Sequence, residues 1–367
     1  MAGRPFAFVT ARAAIAIFFV LSGQLPAQEE ASDWLDLRSL LEPRRACLEL
    51  PHIRAALLEA QRLLEASDFV RAEERLRASV ADCPGQAQLQ ITLARALLYQ
   101  HKFAEAEAAL DAIPAATAGS EAELETRALV ALMTQRLEEA LEAANRALAA
   151  APENVAALRI KGSALYFLGR EGEAETAFIT ALERRPDDVE AAYLLGRIYY
   201  QQNRFDHAIA QFERVLRLAP ENYKAFDNLG LTYEALNEDA KAESSYAAAI
   251  RLADERDPAY GWPFSNLANL RLRQGRLDDA FQLAAEAAER DSGSARHFYL
   301  AGKALSELDR TENAVRWLER AVELDPQARD AVYLLARTYQ KLGRQPEAAE
   351  QFARFQELRE TVGRIRR

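Results

Sequence analysis

The sequence predicts an all-α fold, a solenoid of antiparallel helix hairpins. Three observations predict it. A 34-residue period runs through the chain: Ala72, Ala106, Ala140, Ala174, Ala208 and Ala242 share one place in it, Gly162, Gly196 and Gly230 a second, and Pro84, Pro152, Pro186 and Pro220 a third. Within one period, Val189 to Asn222, apolar residues recur at helical spacing twice, as Ala192, Leu195, Gly196 and Tyr199 and then as Ala208, Phe212, Val215 and Leu216, on either side of a polar break at Gln202–Arg204. The chain is half apolar, rich in Ala and Leu and sparse in β-branched residues, which favours helix throughout.

The first 27 residues stand apart. Arg4 and Arg12 precede an apolar run from Ala13 to Leu21, followed by Ser22, Gly23 and a helix break at Pro26. A basic start, a short apolar centre and a small-residue exit are the layout of a secretory signal peptide, with cleavage expected after Ala27. The run is short for a membrane span, and the competing reading is an uncleaved N-terminal anchor, the one route by which the chain would meet a membrane. No Cys directly follows the run, so there is no acylation site for a lipoprotein. Cleavage removes two positive charges and takes the net charge from −10 to about −12. With so acidic a total, nucleic acid is not an expected partner.

Residues 28–52 are a polar lead-in and one helix expected over Trp34–Leu50, with Trp34, Leu35, Leu37, Leu40 and Leu41 as its apolar stripe, placed to cap the first period. Six periods then run in register, 53–86, 87–120, 121–154, 155–188, 189–222 and 223–256. Four extra residues, Asp257–Tyr260, interrupt the count, and three more periods occupy 261–294, 295–328 and 329–358. Ile113–Ser120, with Pro114 and Gly119, is expected to shorten the second helix of its period. The insertion, bracketed by Pro258, Trp262 and Pro263, reads as a binding loop, a cover over a longer turn, or a hinge. Arg359–Arg367 continues the last helix and turns basic, either frayed or paired with another chain.

These residues carry a resemblance. Leu195, Gly196, Tyr199, Ala208, Phe212 and Pro220 in one period, and Phe226, Leu229, Gly230, Tyr233, Ala242, Tyr246 and Ala249 in the next, resemble the tetratricopeptide repeat, whose pattern has Leu at position 7, Gly or Ala at 8, Tyr at 11, Ala at 20, an aromatic at 24, Ala at 27 and Pro at 32. The resemblance spans about nine units and over four-fifths of the chain. It implies a right-handed superhelix whose concave groove is lined by first helices. The physical reason is that one hairpin cannot bury its apolar stripe alone and must stack on its neighbours.

Cys47 and Cys83 are the chain's two cysteines. In an exported chain they invite a disulfide between the capping helix and the first repeat; the alternative is two unpaired buried thiols. They form no zinc site, and His52, His101, His207 and His297 sit in no metal-binding or catalytic spacing. Nucleophile elbows, phosphate loops and dinucleotide fingerprints are absent, and the acidic pairs Asp187–Asp188 and Asp278–Asp279 fall at helix starts, where carboxylates serve as caps. The chain is therefore expected to be non-catalytic, with no cofactor and no metal.

In the resembled family, positions 2, 5, 9, 12 and 13 face the groove. Here these include Leu98, Tyr99, Met133, Arg159, Tyr166, Phe167, Tyr193, Arg197 and Tyr200 in the first half, and Lys224, Asp227, Asn269, Arg273, Arg296, Tyr299, Lys303, Tyr333 and Arg337 in the second. Tyr and Arg combine large contact area with a polar end, the chemistry of interface anchors. Tyr166, Phe167, Tyr193 and Tyr200 are expected to anchor a protein or peptide partner, with Arg159 and Arg197 meeting its acids. The family's C-terminal-carboxylate clamp is not supported. Asn228 and Asn266 stand at sixth positions and Lys224 at a second, but no Lys stands at a fifth and no Arg at a sixth. The sequence thus reads as an exported scaffold, in a bacterial periplasm or cell envelope, that binds protein in its groove. The alternatives are a structural envelope-assembly factor using its convex face or ends, and a regulatory subunit of an envelope enzyme complex.

Overall fold

The computed structural model describes residues 47–365, with side chains to residue 360. The predicted signal segment, the Trp34–Leu41 stripe and the basic residues Arg364, Arg366 and Arg367 lie outside the described side chains. All regular structure among the described residues is helical. Eighteen helices are described, and eight pairs of them form hairpins within one unit: α1 Pro51–Glu65 with α2 Phe69–Asp82, α3 Ala87–Leu98 with α4 Phe103–Asp111, α5 Glu121–Met133 with α6 Leu137–Ala150, α7 Val155–Phe167 with α8 Glu171–Arg184, α11 Tyr223–Ala235 with α12 Asp239–Arg256, α13 Trp262–Arg273 with α14 Leu277–Arg290, α15 Ala295–Glu307 with α16 Thr311–Leu324, and α17 Arg329–Lys341 with α18 Gln345–Ile365; between them in sequence lie α9 Val189–Gln201 and α10 Phe205–Leu218.

The chain divides into two compact units, one ending at Ile198 and the other beginning at Tyr199. In the first, each helix from α1 to α8 packs on its neighbours in sequence, and α1, α3, α5 and α7 pack successively on one another. In the second, α10 to α18 pack in order, and α11, α13, α15 and α17 do the same.

Three sequence devices build each hairpin. Every second helix starts at position 17, after a turn whose fifteenth residue lies in the left-handed region: Ser67, His101, Gln135, Gly169, Asn203, Asn237, Gly275, Asp309 and Gly343, with φ between 56 and 75°. Gly takes this conformation freely and Asn at little cost, whereas the Ser, His, Gln and Asp residues carry strain of about 1 kcal/mol that the packed hairpin must hold. Position 34 caps the next first helix: Ser120, Asn154, Asp188 and Asn222 accept from the amides of Glu123, Ala157, Ala191 and Ala225 at 2.8–3.3 Å, each cap worth about 1 kcal/mol.

Position 20 is Ala in all nine repeats and is buried in all nine, which lets the two helices close on each other. In three repeats a bulky residue at position 24 fills the space of a Cβ at position 8. A Cβ on Gly162 would sit 2.7 Å from the Phe178 ring, on Gly230 2.4 Å from the Tyr246 ring, and on Gly302 2.7 Å from Leu318. Where position 24 is small, as at Ala144 and Ala284, position 8 is Ala, at Ala128 and Ala268.

Two expectations take a different form. The helix expected over Trp34–Leu50 does not include the described residues Cys47–Leu50, which form a turn; α1 begins at Pro51, which has no N–H to continue a preceding helix but suits a first helical position. The four extra residues near 257 do not form a loop. They lengthen α12 to 18 residues against the usual 14, because Ala253–Arg256 contains no helix breaker and the stop, Pro258, comes one turn late. Asp257–Tyr260 is then an ordinary inter-hairpin turn, held by Arg290 donating to the Pro258 carbonyl at 3.2 Å. The helix α4 is shortened as expected, to 9 residues. Cys47 and Cys83 are joined by a disulfide, with Cα atoms 6.2 Å apart, tying the segment before α1 to the end of α2.

Candidate functional site

The residues placed on the binding face by register divide, in the structure, into those consumed by internal contacts and those left open. In the first unit most are consumed. Tyr99 is half-buried and stacks on Phe69, ring centroids 4.8 Å apart, and burial pushes its hydroxyl up to about 12. Met133, Tyr166 and Tyr193 are buried, at 4, 8 and 4 % exposure, and Leu98 is fully buried. Tyr166 and Tyr193, expected to anchor a partner, are thus covered within the chain itself. Tyr166 packs edge-on against Phe167, half-buried, at 5.2 Å, and the Arg197 guanidinium covers the Tyr166 ring at 5.4 Å.

Arg159 also departs from its expected role. Its guanidinium is buried and pairs inside the chain, 3.1 Å from Glu190 and 3.7 Å from the cap carboxylate of Asp188. Arg95 does the same, reaching Glu125 at 3.0 Å and Thr126 at 3.0 Å with both charged side chains about nine-tenths buried. Glu125 and Glu121 each accept from Asn154, at 2.9 and 2.6 Å. A guanidinium this buried is stable only with its carboxylate beside it, so these arginines are not available to a partner's acids. Glu125, Glu190 and Glu234 were not singled out in the sequence, although they stand at positions 5, 2 and 12 of the same register.

The second unit carries a polar chain across three first helices. Asp227 on α11 is buried and accepts from Asn266 on α13 at 2.9 Å and from the Tyr260 hydroxyl at 3.0 Å. Asn266 accepts in turn from Arg296 on α15 at 3.2 Å. Burial pushes the Asp227 carboxyl up to about 6; the Asn266 and Tyr260 hydrogen bonds and the Arg296 charge oppose the rise, and Glu234 adds to it. Lys224 is buried near the Tyr223 and Tyr260 rings. Glu234 accepts from Tyr246 at 2.8 Å and from Asn269, half-buried, at 3.1 Å. Arg273 pairs with Asp239 at 3.1 Å. Tyr200 is half-buried, its ring against Phe205 at 5.9 Å, and burial raises its hydroxyl pKa.

At the end of this unit the face is open. Tyr333, at 38 %, is the one exposed Phe, Tyr or Trp among the described residues. Arg337 is exposed and donates to the Tyr333 hydroxyl at 3.3 Å, and Lys303 is half-buried. Trp262 packs edge-on against His297 at 5.3 Å, away from this opening. Among the described residues no group of three or more His, Cys, Asp or Glu is arranged to hold a metal, and no helix is long and apolar enough to cross a membrane.

Comparison with known proteins agrees with this geometry. A tetratricopeptide repeat family model matches residues 125–178, 161–223, 193–258 and 299–361, more than half of the chain, and a second tetratricopeptide repeat model matches 63–129. No curated protein matches by sequence. Among solved structures, the chain resembles one in the crystal structure of the APC/C hetero-tetramer Cut9–Hcn1, at 15 % identity and a TM-score of 0.63 over 89 % of this chain and 70 % of that one. It also resembles a tetratricopeptide repeat protein from Parabacteroides merdae, at 19 % identity and a TM-score of 0.50 over 78 % and 98 % of the two chains. A third likeness is to Pseudomonas aeruginosa pilF, at 18 % identity and a TM-score of 0.50 over 61 % of this chain and 96 % of that one. At these identities the likeness is one of fold alone. The family models, the position-20 alanines and the hairpins together place the chain in the tetratricopeptide repeat family, whose repeats generally bind protein or peptide partners.

Proposed function

We propose that the protein is an exported, non-catalytic scaffold that holds a protein or peptide partner on the faces of its first helices. The observation that carries this reading is the opening at α15 and α17, where Tyr333 is exposed with Arg337 beside it while the equivalent residues of earlier repeats are packed away. An exposed aromatic flanked by a cation has the chemistry of an interface anchor. Export is supported by the signal-like N-terminus and by the Cys47–Cys83 disulfide, a bond that persists in oxidising compartments such as a periplasm.

Site-specific photo-crosslinking in the native cell tests this. A photoreactive residue is placed at Tyr299 or Tyr333 on the first helices, or at Arg316 or Arg320 on the second helix α16, and the adducts are identified by mass spectrometry. The first-helix probes are expected to trap one recurring protein that the second-helix probes do not. Adducts confined to the second-helix probes would overturn the reading in favour of a structural role for the outer face.

A further inference from the structure

The nature of the partner follows from which cations the fold leaves without a counter-charge. Arg95 at a ninth position pairs with Glu125, 30 residues on, at the fifth position of the next repeat. Arg159 at a fifth position pairs with Glu190, at the second position of the next. In both cases the following repeat supplies the acid.

The same positions in the last two repeats find none. The 30-residue step from Lys303 lands on Tyr333, and the step from Arg337 on Arg367, neither of them an acid. Among the described residues Lys303 and Arg337 make no ion pair, Arg337 donates to the Tyr333 hydroxyl, and Arg296 donates to the neutral Asn266 while its charge reaches Asp227 only at longer range, its Nε buried and unbonded. Two acids stand nearby, Asp330 and Glu307. Their charge helps burial to push the Tyr299 hydroxyl up to about 12, yet neither comes within 4.0 Å of any of the three cations. The tyrosines repeat the pattern: Tyr299 precedes Lys303 by four residues and Tyr333 precedes Arg337 by four, so each helix sets a phenol and a cation one turn apart on one side.

We propose that the first-helix faces of α15 and α17 bind an Asp/Glu-rich segment of a partner protein, with Lys303 and Arg337 pairing its carboxylates and Tyr299 and Tyr333 packing against its backbone and side-chain stems. This deepens the scaffold reading and rests on it. Charge complementarity chooses the occupant. In a chain of net charge −10, two first helices in succession each set an unpaired cation one turn from a tyrosine, and it is this pairing of phenol and cation, not the lone charge, that suits an acidic segment. Lys303 is half-buried and makes no ion pair, so a partner's carboxylate could add a charge-assisted hydrogen bond there. An apolar helix would offer Lys303 and Arg337 no counter-charge.

The test uses the full chain and a fluorescein-labelled peptide of repeating Asp-Glu-Gly, with an Asn-Gln-Gly counterpart, read by anisotropy over a salt series. The acidic peptide is expected to bind at least ten-fold more tightly than the neutral one, and to weaken as salt rises. Lys303→Gln with Arg337→Gln should reduce its affinity at least ten-fold, whereas Arg316→Gln with Arg320→Gln, the same charge change on the second helix α16, should leave it unchanged. Circular dichroism checks helicity. If the double variant loses helicity, Arg337→Gln alone, at an exposed side chain, carries the same comparison. Equal binding of both peptides, or equal loss in both double variants, overturns the proposal. If it is overturned while probes at Tyr299 and Tyr333 still trap a protein, the scaffold reading stands and only the acidic chemistry is wrong.

Discussion

Asp227→Asn is the substitution whose effect the structure specifies most closely. The carboxylate is buried, at 3 % exposure, and its pKa stands at about 6 against 3.8 for an ordinary aspartate. The sign follows from proton binding. Below about pH 4 both the folded and unfolded states carry the proton, and Asp227 is neutral in each. Between pH 4 and 6 the unfolded state releases its proton while the folded state keeps it, so stability falls as pH rises. Above pH 6 the full cost is present and constant. A difference of about 2 pKa units corresponds to roughly 3 kcal/mol.

Asn is isosteric and removes the charge. Its carbonyl still accepts from Asn266, and its amide can donate to the Tyr260 oxygen, so both contacts survive as neutral hydrogen bonds. The charge-assisted strength of those bonds and the attraction to Arg296 are already contained in the net shift, so they are not subtracted again. The variant should therefore be up to about 3 kcal/mol more stable than the parent at pH 7.5, with the advantage shrinking as pH falls towards 4. Amide hydrogen exchange in α11 and α13, followed from pH 4.5 to 8, reads this locally in a stack whose repeats open semi-independently. A difference that does not change with pH, or a variant less stable than the parent at pH 7.5, would refute the reasoning.

Two other perturbations have definite outcomes. Gly230→Ala forces a methyl against the Tyr246 ring, which its hydrogen bond to Glu234 holds in place, and should cost about 1–3 kcal/mol in urea unfolding, with Tyr246→Leu in the same chain recovering part of the loss. Reducing Cys47–Cys83, a bridge between residues 36 apart, should destabilise the first hairpin by about 3–4 kcal/mol on the chain-entropy account, seen as faster exchange in α1 and α2 with α11 to α18 unchanged. Unchanged exchange in α1 and α2 would show that the bridge constrains nothing.

The hairpins were legible because their signals are local. A position-20 Ala, a polar break and a Pro after the second helix are each read within one repeat, and their recurrence removes ambiguity. The late stop at Pro258 was equally present in the sequence, but counting it as an insertion hid the plainer consequence that α12 runs one turn longer. The binding face was only half legible, for a different reason. Register assigns Arg159 and Arg337 alike to one face of a first helix, yet one is sealed in an ion pair and the other is open. What separates them is not on their own helix. It is the residue one repeat further on, the acid Glu190 for Arg159 and Arg367, not an acid, for Arg337.

Burial of a face residue is thus a property of a pair of repeats, and a single-repeat consensus is blind to it. Matching each ninth position to the next repeat's fifth, and each fifth to the next repeat's second, supplies the missing information. In this chain that pairing marks Arg95 and Arg159 as closed and Lys303 and Arg337 as open from the order of residues alone. Tyr166 lies beneath the Arg197 guanidinium and Tyr193 is buried, whereas Tyr333 is exposed. In a stacked array of this kind, the residues free to meet a partner are those whose next repeat fails to answer them.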